Sequence, residues 1–384
     1  HGDLIVRGSG DPTIVDSVLT SWAHALRSLG VNRIAGRIVG DDQVVLGHTD
    51  KHNDTQPNFG TGWSWDDLAF GYAAPVGPLQ YRENVVEISI EPNRSAGLPA
   101  RVTLKTPGST LTLMNQVTTT VSTKPSVVLL RRAPGVRTLV VSGQIAIGDN
   151  AITRSASVNN PTRFLVQALR VALEKEGVVV DGPAVDIDQL SEEEQVATET
   201  GLRTLVQHQS EPLSALAVDM MKRSQNLYAE SVFKRLGVSL CGNGCTGQSI
   251  VTSALATWGV GRSRAIVADG SGLSRYNYMT ASVLTDVLAR LYESPKDRKL
   301  FLATLPVAGK DGTLRNRFVN TVAADNAYAK TGSMSQVRSL AGFVRTADDE
   351  QLVFAVLANN FSVKAVDVTQ AIDSVITALA TLSR

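Results

Sequence analysis

The feature that most constrains this chain is the tripeptide Lys330-Thr331-Gly332, which lies in a strand-like run over residues 327–334. Lys330 supplies a positive charge and Thr331 a hydroxyl donor, while Gly332 lets another backbone approach the strand closely. A strand that presents these groups in succession suits the binding of a substrate carboxylate. The tripeptide alone is common, however, and an exposed lysine before a bulge is the simpler interpretation until a second motif is found.

A second motif, Ser224-Gln225-Asn226, lies upstream. An S-x-N element accompanies K-T-G in enzymes whose own active-site serine is acylated by the substrate, so the two motifs together favour catalysis. Ser224 is also placed to cap a helix predicted over residues 226–236, with Gly237 as its stop. Capping and catalysis are compatible roles for one serine.

The third motif of such a set is a nucleophilic Ser-x-x-Lys, and this pattern occurs once, from Ser231 to Lys234. Ser231 falls within the helix that follows the S-x-N turn, whereas a nucleophile should face that turn from another element. We therefore interpret Ser231 as a structural residue and Lys234 as a solvent-facing lysine. Since the chain starts at His1 and enters a strand-like run at once, we expect the nucleophile in an N-terminal piece that this chain lacks.

Several longer stretches resemble one family along the whole chain. The sequence is similar to the D-alanyl-D-alanine carboxypeptidase/endopeptidase family of low-molecular-mass class C penicillin-binding proteins, peptidase family S13. The stretches that carry the resemblance are Gly2-Asp3-Leu4, Gly8-Ser9-Gly10-Asp11-Pro12-Thr13, Gly62-Trp63-Ser64-Trp65-Asp66-Asp67, Tyr72-Ala73-Ala74-Pro75, Ser224-Gln225-Asn226-Leu227, Asp269-Gly270-Ser271-Gly272-Leu273-Ser274-Arg275, Leu305-Pro306-Val307-Ala308-Gly309 and Lys330-Thr331-Gly332-Ser333. In the family, Ser-x-x-Lys precedes the Gly-Asp-Leu strand at which this chain begins.

The resemblance implies a serine DD-peptidase that acts on peptidoglycan through an acyl-enzyme, as a D-Ala-D-Ala carboxypeptidase, a DD-endopeptidase or both. The expected partners are peptidoglycan stem peptides and, as covalent inhibitors, β-lactam antibiotics; no cofactor and no metal are expected. A serine β-lactamase shares the motifs, but the inserted domains favour the peptidase. A catalytically silent peptidoglycan-binding protein is the alternative if the chain is natively this short.

The resemblance also implies roles for individual residues. Lys330 and Thr331 would hold the terminal carboxylate of the substrate beside Gly332. The backbone N–H of Ser333 would form half of an oxyanion hole. Ser224 would relay a proton to the leaving D-alanine nitrogen.

Six further residues are considered, Asn226 as a catalytic residue and five others for substrate recognition. Asn226 would orient the substrate carbonyl and the lysine of the nucleophile motif. Arg275 suits a carboxylate of the stem-peptide diamino acid, and Asp67 suits its amine. An apolar wall is expected from Trp63, Trp65 and Tyr72. The competing interpretation makes both tryptophans local core and Asp67 a helix cap.

The resemblance and the local patterns together predict an α+β multidomain fold. Residues 204–384 would form a penicillin-recognising, serine transpeptidase-like domain, an antiparallel sheet flanked by helices, without its N-terminal part. Residues 1–81 and 142–203 would form an inserted α/β domain, and residues 82–141 a small β-rich domain nested in it. The elements predicted most firmly are helices over 13–29, 160–177 and 365–382 and strands over 328–332, 340–345 and 352–357, the last two joined by a turn at Asp348-Asp349.

The composition agrees with an exported enzyme, periplasmic or extracellular, and decides little beyond that. Lys and Arg number 37 against 36 Asp and Glu, so no basic surface for nucleic acid is expected. No apolar run approaches the ~18 residues of a membrane span. The C-terminal helix predicts packing first and membrane-surface contact second, so a peripheral membrane or homo-oligomer contact stays open.

Other motifs are assigned to structure. The second S-x-N, Ser157-Val158-Asn159, is interpreted as loop, as is the histidine pair His48 and His52. Cys241 and Cys245 are too few for a structural zinc site. A disulfide across their small loop and two free thiols are both open.

Overall fold

The computed structural model describes residues 2–43, 59–121, 123, 125–198, 201–241 and 245–383. The chain forms two compact units, residues 1–210 with 230–246 and residues 211–229 with 247–384. Both units combine helices with sheets, so the expected α+β class is confirmed. The finer division into three domains stays a prediction. None of the described helices is both long and apolar enough to cross a bilayer.

The first unit begins with mixed helices and strands and continues into a β-rich stretch. Its elements in chain order are β1 (Leu4–Arg7), α1 (Asp16–Ser28), β2 (Arg33–Ile34), β3 (Ile38–Asp41), β4 (Val85–Glu91), β5 (Arg101–Leu104), β6 (Thr112–Thr120), β7 (Val127–Arg131), β8 (Thr138–Ala146), β9 (Ile152–Ser157), α2 (Pro161–Lys175), β10 (Val179–Val180), β11 (Ala184–Asp186) and α3 (Glu192–Ala197).

Helices α1 and α2 follow the apolar periodicity of the sequence, and both were expected. In α1, Leu19, Ala23 and Leu26 are buried at helical spacing. Helix α2 starts behind Asn160, whose side chain accepts the N–H of Arg163 at 2.7 Å. The two helices pack on each other, and α2 covers the parallel sheet β1-β3-β11.

The β-rich stretch forms two three-stranded sheets, which include β8 and β9 and so extend beyond the predicted bound at residue 141. Strand β4 lies between β5 and β9, with antiparallel pairing on both sides. Strand β8 lies between β6, which runs parallel to it, and β7, which runs antiparallel. Ile88 of β4 and Leu139 of β8 are fully buried in the same apolar cluster as the buried faces of α1 and α2.

The second unit contains helices on both sides of one antiparallel sheet. The elements after residue 210 are α4 (Leu213–Arg223), α5 (Asn226–Cys241), α6 (Gly247–Thr257), β12 (Ala265–Ile266), β13 (Tyr278–Met279), α7 (Ala281–Glu293), α8 (Pro295–Thr304), β14 (Tyr328–Met334), β15 (Val337–Arg345), β16 (Gln351–Asn359) and α9 (Ala365–Ala380). Helix α5 contributes its first residues to the second unit and residues 230–241 to the first.

The sheet β14-β15-β16 is the layer on which the candidate site is built. Leu340 and Val344 point to one face, where they pack with Ile376 of α9. Phe343 points to the other face and packs with α4, α7 and α8 through residues such as Leu288. The order of strands leaves β14 at one edge of this sheet. The predicted turn between the last two strands is confirmed.

The predicted stop of helix α5 at Gly237 is wrong, because the helix continues to Cys241. A Cβ atom at Gly237 would lie 2.4 Å from the carbonyl oxygen of Cys245. The glycine therefore allows close packing of the helix against the segment before α6 rather than ending the helix. Cys245 itself is disulfide-bonded.

Candidate active site

Ser224 occupies the junction between two helices. Helix α4 ends at Arg223, and Ser224 takes the left-handed conformation (φ 57°, ψ 49°) before α5 begins at Asn226. A non-glycine residue in this region is uncommon and costs roughly 1–3 kcal/mol. The predicted N-cap role of Ser224 is wrong, since the side-chain oxygen of Gln225 accepts the N–H of Leu227 at 3.3 Å. The Ser224 hydroxyl is used instead by Lys330.

Lys330 and Ser224 meet although they lie 106 residues apart in sequence. The Lys330 Nζ donates to Ser224 Oγ at 2.5 Å and to the carbonyl oxygen of Thr331 at 2.7 Å. Burial lowers the pKa of Lys330 from 10.5 to about 8. Such an amine is still mostly charged at pH 7, yet it exchanges a proton far more readily than a surface lysine. The contact therefore places a hydroxyl next to a group that can hold or release a proton.

The next residues of β14 explain why glycine follows the threonine. The hydroxyl of Thr331 donates to Thr313 Oγ1 at 2.9 Å. Gly332 is paired with Ser339, and a Cβ atom at Gly332 would lie 2.2 Å from Ser339 Oγ. Ser333 is exposed and paired with Arg338. A side chain at position 332 would thus force the Ser339 hydroxyl to move.

Among the described residues, the outer edge of β14 forms backbone pairs only at its start. Tyr328 forms a bridge with Val307, and the N–H of Ala329 donates to the carbonyl of Pro306 at 3.0 Å. From Lys330 onwards, no strand of the described chain pairs with this edge. An extended peptide can pair with such an edge by backbone hydrogen bonds.

Asn226, the other residue of the S-x-N motif, is the first residue of α5 and is half-buried. It lies two positions after Ser224 on the same junction. Its amide is therefore near the Ser224 segment in sequence and structure.

Tyr72 and Arg275 are exposed, whereas Asp67 is half-buried in a short turn. In the first unit, the Tyr72 hydroxyl donates to Asp67 Oδ1 at 2.7 Å, and the Tyr72 ring stacks on Phe70 with centroids 5.5 Å apart. Arg275 is exposed in the second unit, directly after the Gly-rich turn. That turn is organised by Asp269, whose carboxylate accepts N–H groups of the turn.

The competing structural interpretation of this segment is wrong in two respects. Trp65 is 63% exposed and so is not local core. Asp67 ends a short 3₁₀ turn, Trp65–Asp67, which has no side-chain cap. Trp65 is thus available for contacts at the surface, while Asp67 is half-buried and hydrogen-bonded to Tyr72.

Ser231 is a structural serine, as expected. It is 3% exposed, and its hydroxyl accepts Gln80 Nε2 at 2.9 Å inside the first unit. Lys234, however, is half-buried and donates to the carbonyl of Val76 at 3.2 Å, so the prediction of a solvent-facing lysine is wrong. A long side chain can bury its stem while its amine reaches a carbonyl. Ser231 and Lys234 therefore do not act together as a nucleophile and its base that a substrate could reach.

Ser157 ends strand β9 and is buried, so its assignment to a loop is wrong. Its hydroxyl accepts Arg132 and donates to the carbonyl of Leu68. Burial lowers the pKa of Arg132 to about 10. The second S-x-N therefore stabilises the first unit and takes no part in the candidate site. The histidine pair at 48 and 52 lies outside the described residues.

One acidic cluster was missed in the sequence. Side-chain oxygens of Asp42, Asp186 and Asp188 lie within 4.8 Å of one another. Burial, with repulsion from Asp186, raises the pKa of Asp42 to about 7. Thr162 and Asn160 donate hydrogen bonds into the cluster. The three aspartates lie at the ends of β3 and β11. These strands are far apart in sequence, and their parallel pairing brings the aspartates together.

Thr313 and the ion pair of Lys222 with Asp311 are contacts of the site that sequence reasoning also missed. Thr313 lies in a 3₁₀ turn, Gly312–Leu314, beside Thr331. Lys222 lies two residues before Ser224 and donates to Asp311. The only sequence signal is that residues 311–313 directly follow the family-like stretch ending at Gly309.

Comparisons with known proteins match the whole chain to one family. The family model described as "D-Ala-D-Ala carboxypeptidase 3 (S13) family" matches residues 1–382. The D-alanyl-D-alanine carboxypeptidase of Actinomadura sp. (strain R39) is 30% identical over 373 residues, covering 94% of this chain and 66% of that protein. The carboxypeptidase DacB of Haemophilus influenzae is 27% identical over 367 residues, covering 94% of this chain and 72% of that protein.

A solved structure supports the fold. The crystal structure of penicillin binding protein 4 (dacB) from Haemophilus influenzae matches with a TM-score of 0.83 at 24% identity. The match covers 99% of this chain and 82% of that one. The chain thus spans about two thirds of the length of the first curated relative and has the fold of the solved protein.

Proposed function

The chain belongs to the D-Ala-D-Ala carboxypeptidase 3 (S13) family, and from this premise we propose that the protein is a serine-type DD-peptidase of peptidoglycan. The reaction would transfer the peptide acyl group that ends in the penultimate D-alanine first to a serine and then to water, with release of the terminal D-alanine or of the amine of a D-amino-acid cross-link. β-Lactams would acylate the same serine.

The observation that carries the proposal is the contact between Lys330 and Ser224 at 2.5 Å. A buried lysine whose pKa lies near 8 is suited to bind a carboxylate while it is charged. The Ser224 hydroxyl beside it can accept a proton from one neighbour and donate one to another. A structural lysine at a strand edge needs neither property.

The chemistry follows from these positions. Lys330 and Thr331 would bind the C-terminal carboxylate, and the substrate backbone would extend along the outer edge of β14 next to Gly332. The serine oxygen would attack the penultimate D-Ala carbonyl, and the Ser333 N–H would stabilise the oxyanion, a contact typically worth ~10²–10³ in rate. As the C–N bond breaks, the serine proton would reach the leaving D-alanine nitrogen through Ser224. Asn226 would orient the substrate carbonyl.

We place the nucleophile outside residues 1–384. The reason is the environment of Ser231, the serine of the Ser-x-x-Lys pattern within this chain. Its hydroxyl is buried and bonded to Gln80, so a substrate carbonyl cannot approach it. The first curated relative is longer than this chain, which accommodates a further segment.

Recognition of the stem peptide is assigned to two charged residues, the half-buried Asp67 and the exposed Arg275. Asp67 would bind a side-chain amine of the diamino acid. The Tyr72 hydroxyl would hold the Asp67 carboxylate in position. Arg275 would bind a side-chain carboxylate. Such an enzyme works in the periplasm or outside the cell, where a disulfide at Cys245 persists.

The test measures D-alanine release from an acyl-D-Ala-D-Ala peptide and the mass of a penicilloyl adduct, with the protein that includes its nucleophile. Ser224→Ala should slow D-alanine release, while Ser374→Ala, an exposed serine on α9, serves as the matched control and should not. Absence of both D-alanine release and adduct in the wild type would refute the proposal. Rapid turnover of penicillin without peptide cleavage would identify a β-lactamase instead.

A further inference from the structure

We propose that Thr313 is a positioning residue that turns the Thr331 hydroxyl toward the substrate carboxylate. The inference rests on the proposed function and adds to it a residue outside the three motifs. It starts from one contact, the hydrogen bond of 2.9 Å between Thr331 Oγ1 and Thr313 Oγ1.

The argument follows from the number of protons on two hydroxyl groups. Each threonine hydroxyl carries one proton to donate and lone pairs to accept. In the structure without substrate, Thr331 donates its proton to Thr313. Thr331 can donate to a carboxylate only by withdrawing that proton from Thr313. Its oxygen can then accept the Thr313 proton, so the hydrogen bond between the two residues persists with reversed direction.

Reversing the hydrogen bond between Thr331 and Thr313 is favourable because the Thr331 proton then goes to a carboxylate. A hydrogen bond to an ionised carboxylate is roughly twice as strong as one between neutral groups. Hydrogen bonds in a chain also polarise one another, so a Thr331 hydroxyl that accepts from Thr313 is a better donor to the substrate. Thr313 therefore strengthens carboxylate binding without touching the substrate.

The turn that carries Thr313 is held against the end of helix α4. Lys222 of α4 donates to Asp311, and Asp311 Oδ1 accepts the N–H of Val307 at 3.0 Å. Burial is the largest influence and works against ionisation of Asp311, but the hydrogen bonds from Lys222 and from the Val307 N–H, together with the charges of Lys222 and Lys310, lower the pKa of Asp311 overall. Gly312 has φ 55°, and a Cβ atom there would lie 2.7 Å from the Lys222 carbonyl oxygen.

The ion pair between Lys222 and Asp311, which acts as a brace, also affects the geometry of the site. Lys222 lies two residues before Ser224, so the same ion pair fixes the end of α4 and the turn of Thr313. The Ser224 hydroxyl and the Thr313 hydroxyl are thereby held on either side of the Lys330-Thr331 segment, with which they form hydrogen bonds. A mobile turn could not hold a hydroxyl at the distance that the reversal needs.

The experiment compares two substrates in the nucleophile-containing protein. One is an acyl-D-Ala-D-Ala peptide with its free carboxylate, and the other is a D-alanyl thioester whose leaving thiol is uncharged. Thr313→Val keeps the branched shape and removes the hydroxyl, whereas Thr313→Ser keeps the hydroxyl. Thr321→Val is the matched control, because Thr321 is a half-buried threonine with its own hydrogen bonds to Phe318 and Ala323.

The expected result is a loss specific to the carboxylate. Thr313→Val should lower kcat/KM for the peptide about two- to tenfold, mainly through KM, and leave the thioester unchanged. Thr313→Ser should restore the peptide activity, and Thr321→Val should change both substrates by the same factor. Equal effects of Thr313→Val on both substrates, or none on the peptide, would overturn the inference. A wild type that cleaves neither substrate would instead refute the proposed function.

Discussion

Replacing Lys330 by methionine should stabilise the fold at neutral pH while it damages catalysis. Burial lowers the pKa of Lys330 from 10.5 to about 8, which corresponds to about 3 kcal/mol of penalty on the charged form in the folded state. Methionine fills a similar volume without a charge. It also removes two hydrogen bonds of the Lys330 amine, to Ser224 and to the Thr331 carbonyl, a loss of about 2 kcal/mol in total. The net gain in unfolding free energy at pH 7 is therefore about 1 kcal/mol.

The sign of this difference depends on pH. Because the folded pKa of Lys330 lies below the unfolded value, the penalty is complete below pH 8 and disappears as the pH rises toward 10.5. The variant should be more stable than the wild type at pH 7, and the gap should close or reverse by pH 10. The difference in stability is measured from the urea unfolding midpoints of both proteins at pH 7 and pH 10. Lys296→Met, at an exposed lysine of α8, is the control and should show no such dependence.

Catalysis should change in the opposite direction. A charge-assisted contact to the substrate carboxylate is worth ~1.5–3 kcal/mol, so kcat/KM for a D-Ala-D-Ala peptide should fall roughly ten- to a hundredfold in Lys330→Met. If the variant is less stable than the wild type at pH 7, the burial argument is wrong. If its activity is unchanged, Lys330 does not anchor the carboxylate.

Further predictions concern the same region and its surroundings. Because Lys330 loses its charge as the pH rises through about 8, wild-type kcat/KM for a carboxylate substrate should fall above that pH more steeply than for an uncharged thioester, and parallel profiles would contradict the assignment. Gly332→Ala should destabilise the fold by collision with Ser339 Oγ, and adding Ser339→Ala should restore the unfolding midpoint but not peptide cleavage; restored cleavage would show that the substrate does not approach position 332. The 384-residue chain incubated with a labelled penicillin should show no covalent adduct by intact mass, whereas an adduct on Ser231 would place the nucleophile inside the chain. Asp67→Asn should weaken cleavage of a stem peptide with a free side-chain amine and spare the acetylated peptide, and equal losses on both would assign Asp67 a structural role.

Much of the fold could be predicted from local patterns. The antiparallel sheet under the site has strands that alternate or run apolar between turn residues, and the helices α1, α2 and α9 show apolar residues at helical spacing. The errors at Gly237 and Ser157 have one cause. In both cases a tertiary neighbour, the backbone at Cys245 or the guanidinium of Arg132, determines the local structure, and no sequence pattern reports it.

The candidate site could be predicted only as far as its motifs extend. The pairing of Ser224 with Lys330 follows from the chemistry that the two motifs share, and the structure brings the residues into contact. Thr313 carries no motif of its own, because its role depends on where a 3₁₀ turn meets strand β14. The cluster around Asp42 could not be predicted for the same reason, because its residues meet only when β3 and β11 pair in the folded chain.

The residues of the candidate site differ in energetic character from the helices and strands that local patterns predict. The well-predicted elements are locally consistent, with propensity, periodicity and caps that favour the same structure. Ser224, by contrast, holds a left-handed backbone, and Lys330 holds a charge in a buried position, so each is unfavourable for folding by itself. The brace between Lys222 and Asp311 and the hydrogen bond between Ser224 and Lys330 hold these residues in place. A stabilised Lys330→Met variant with lost activity would show directly that the fold tolerates this cost because carboxylate binding requires the charge.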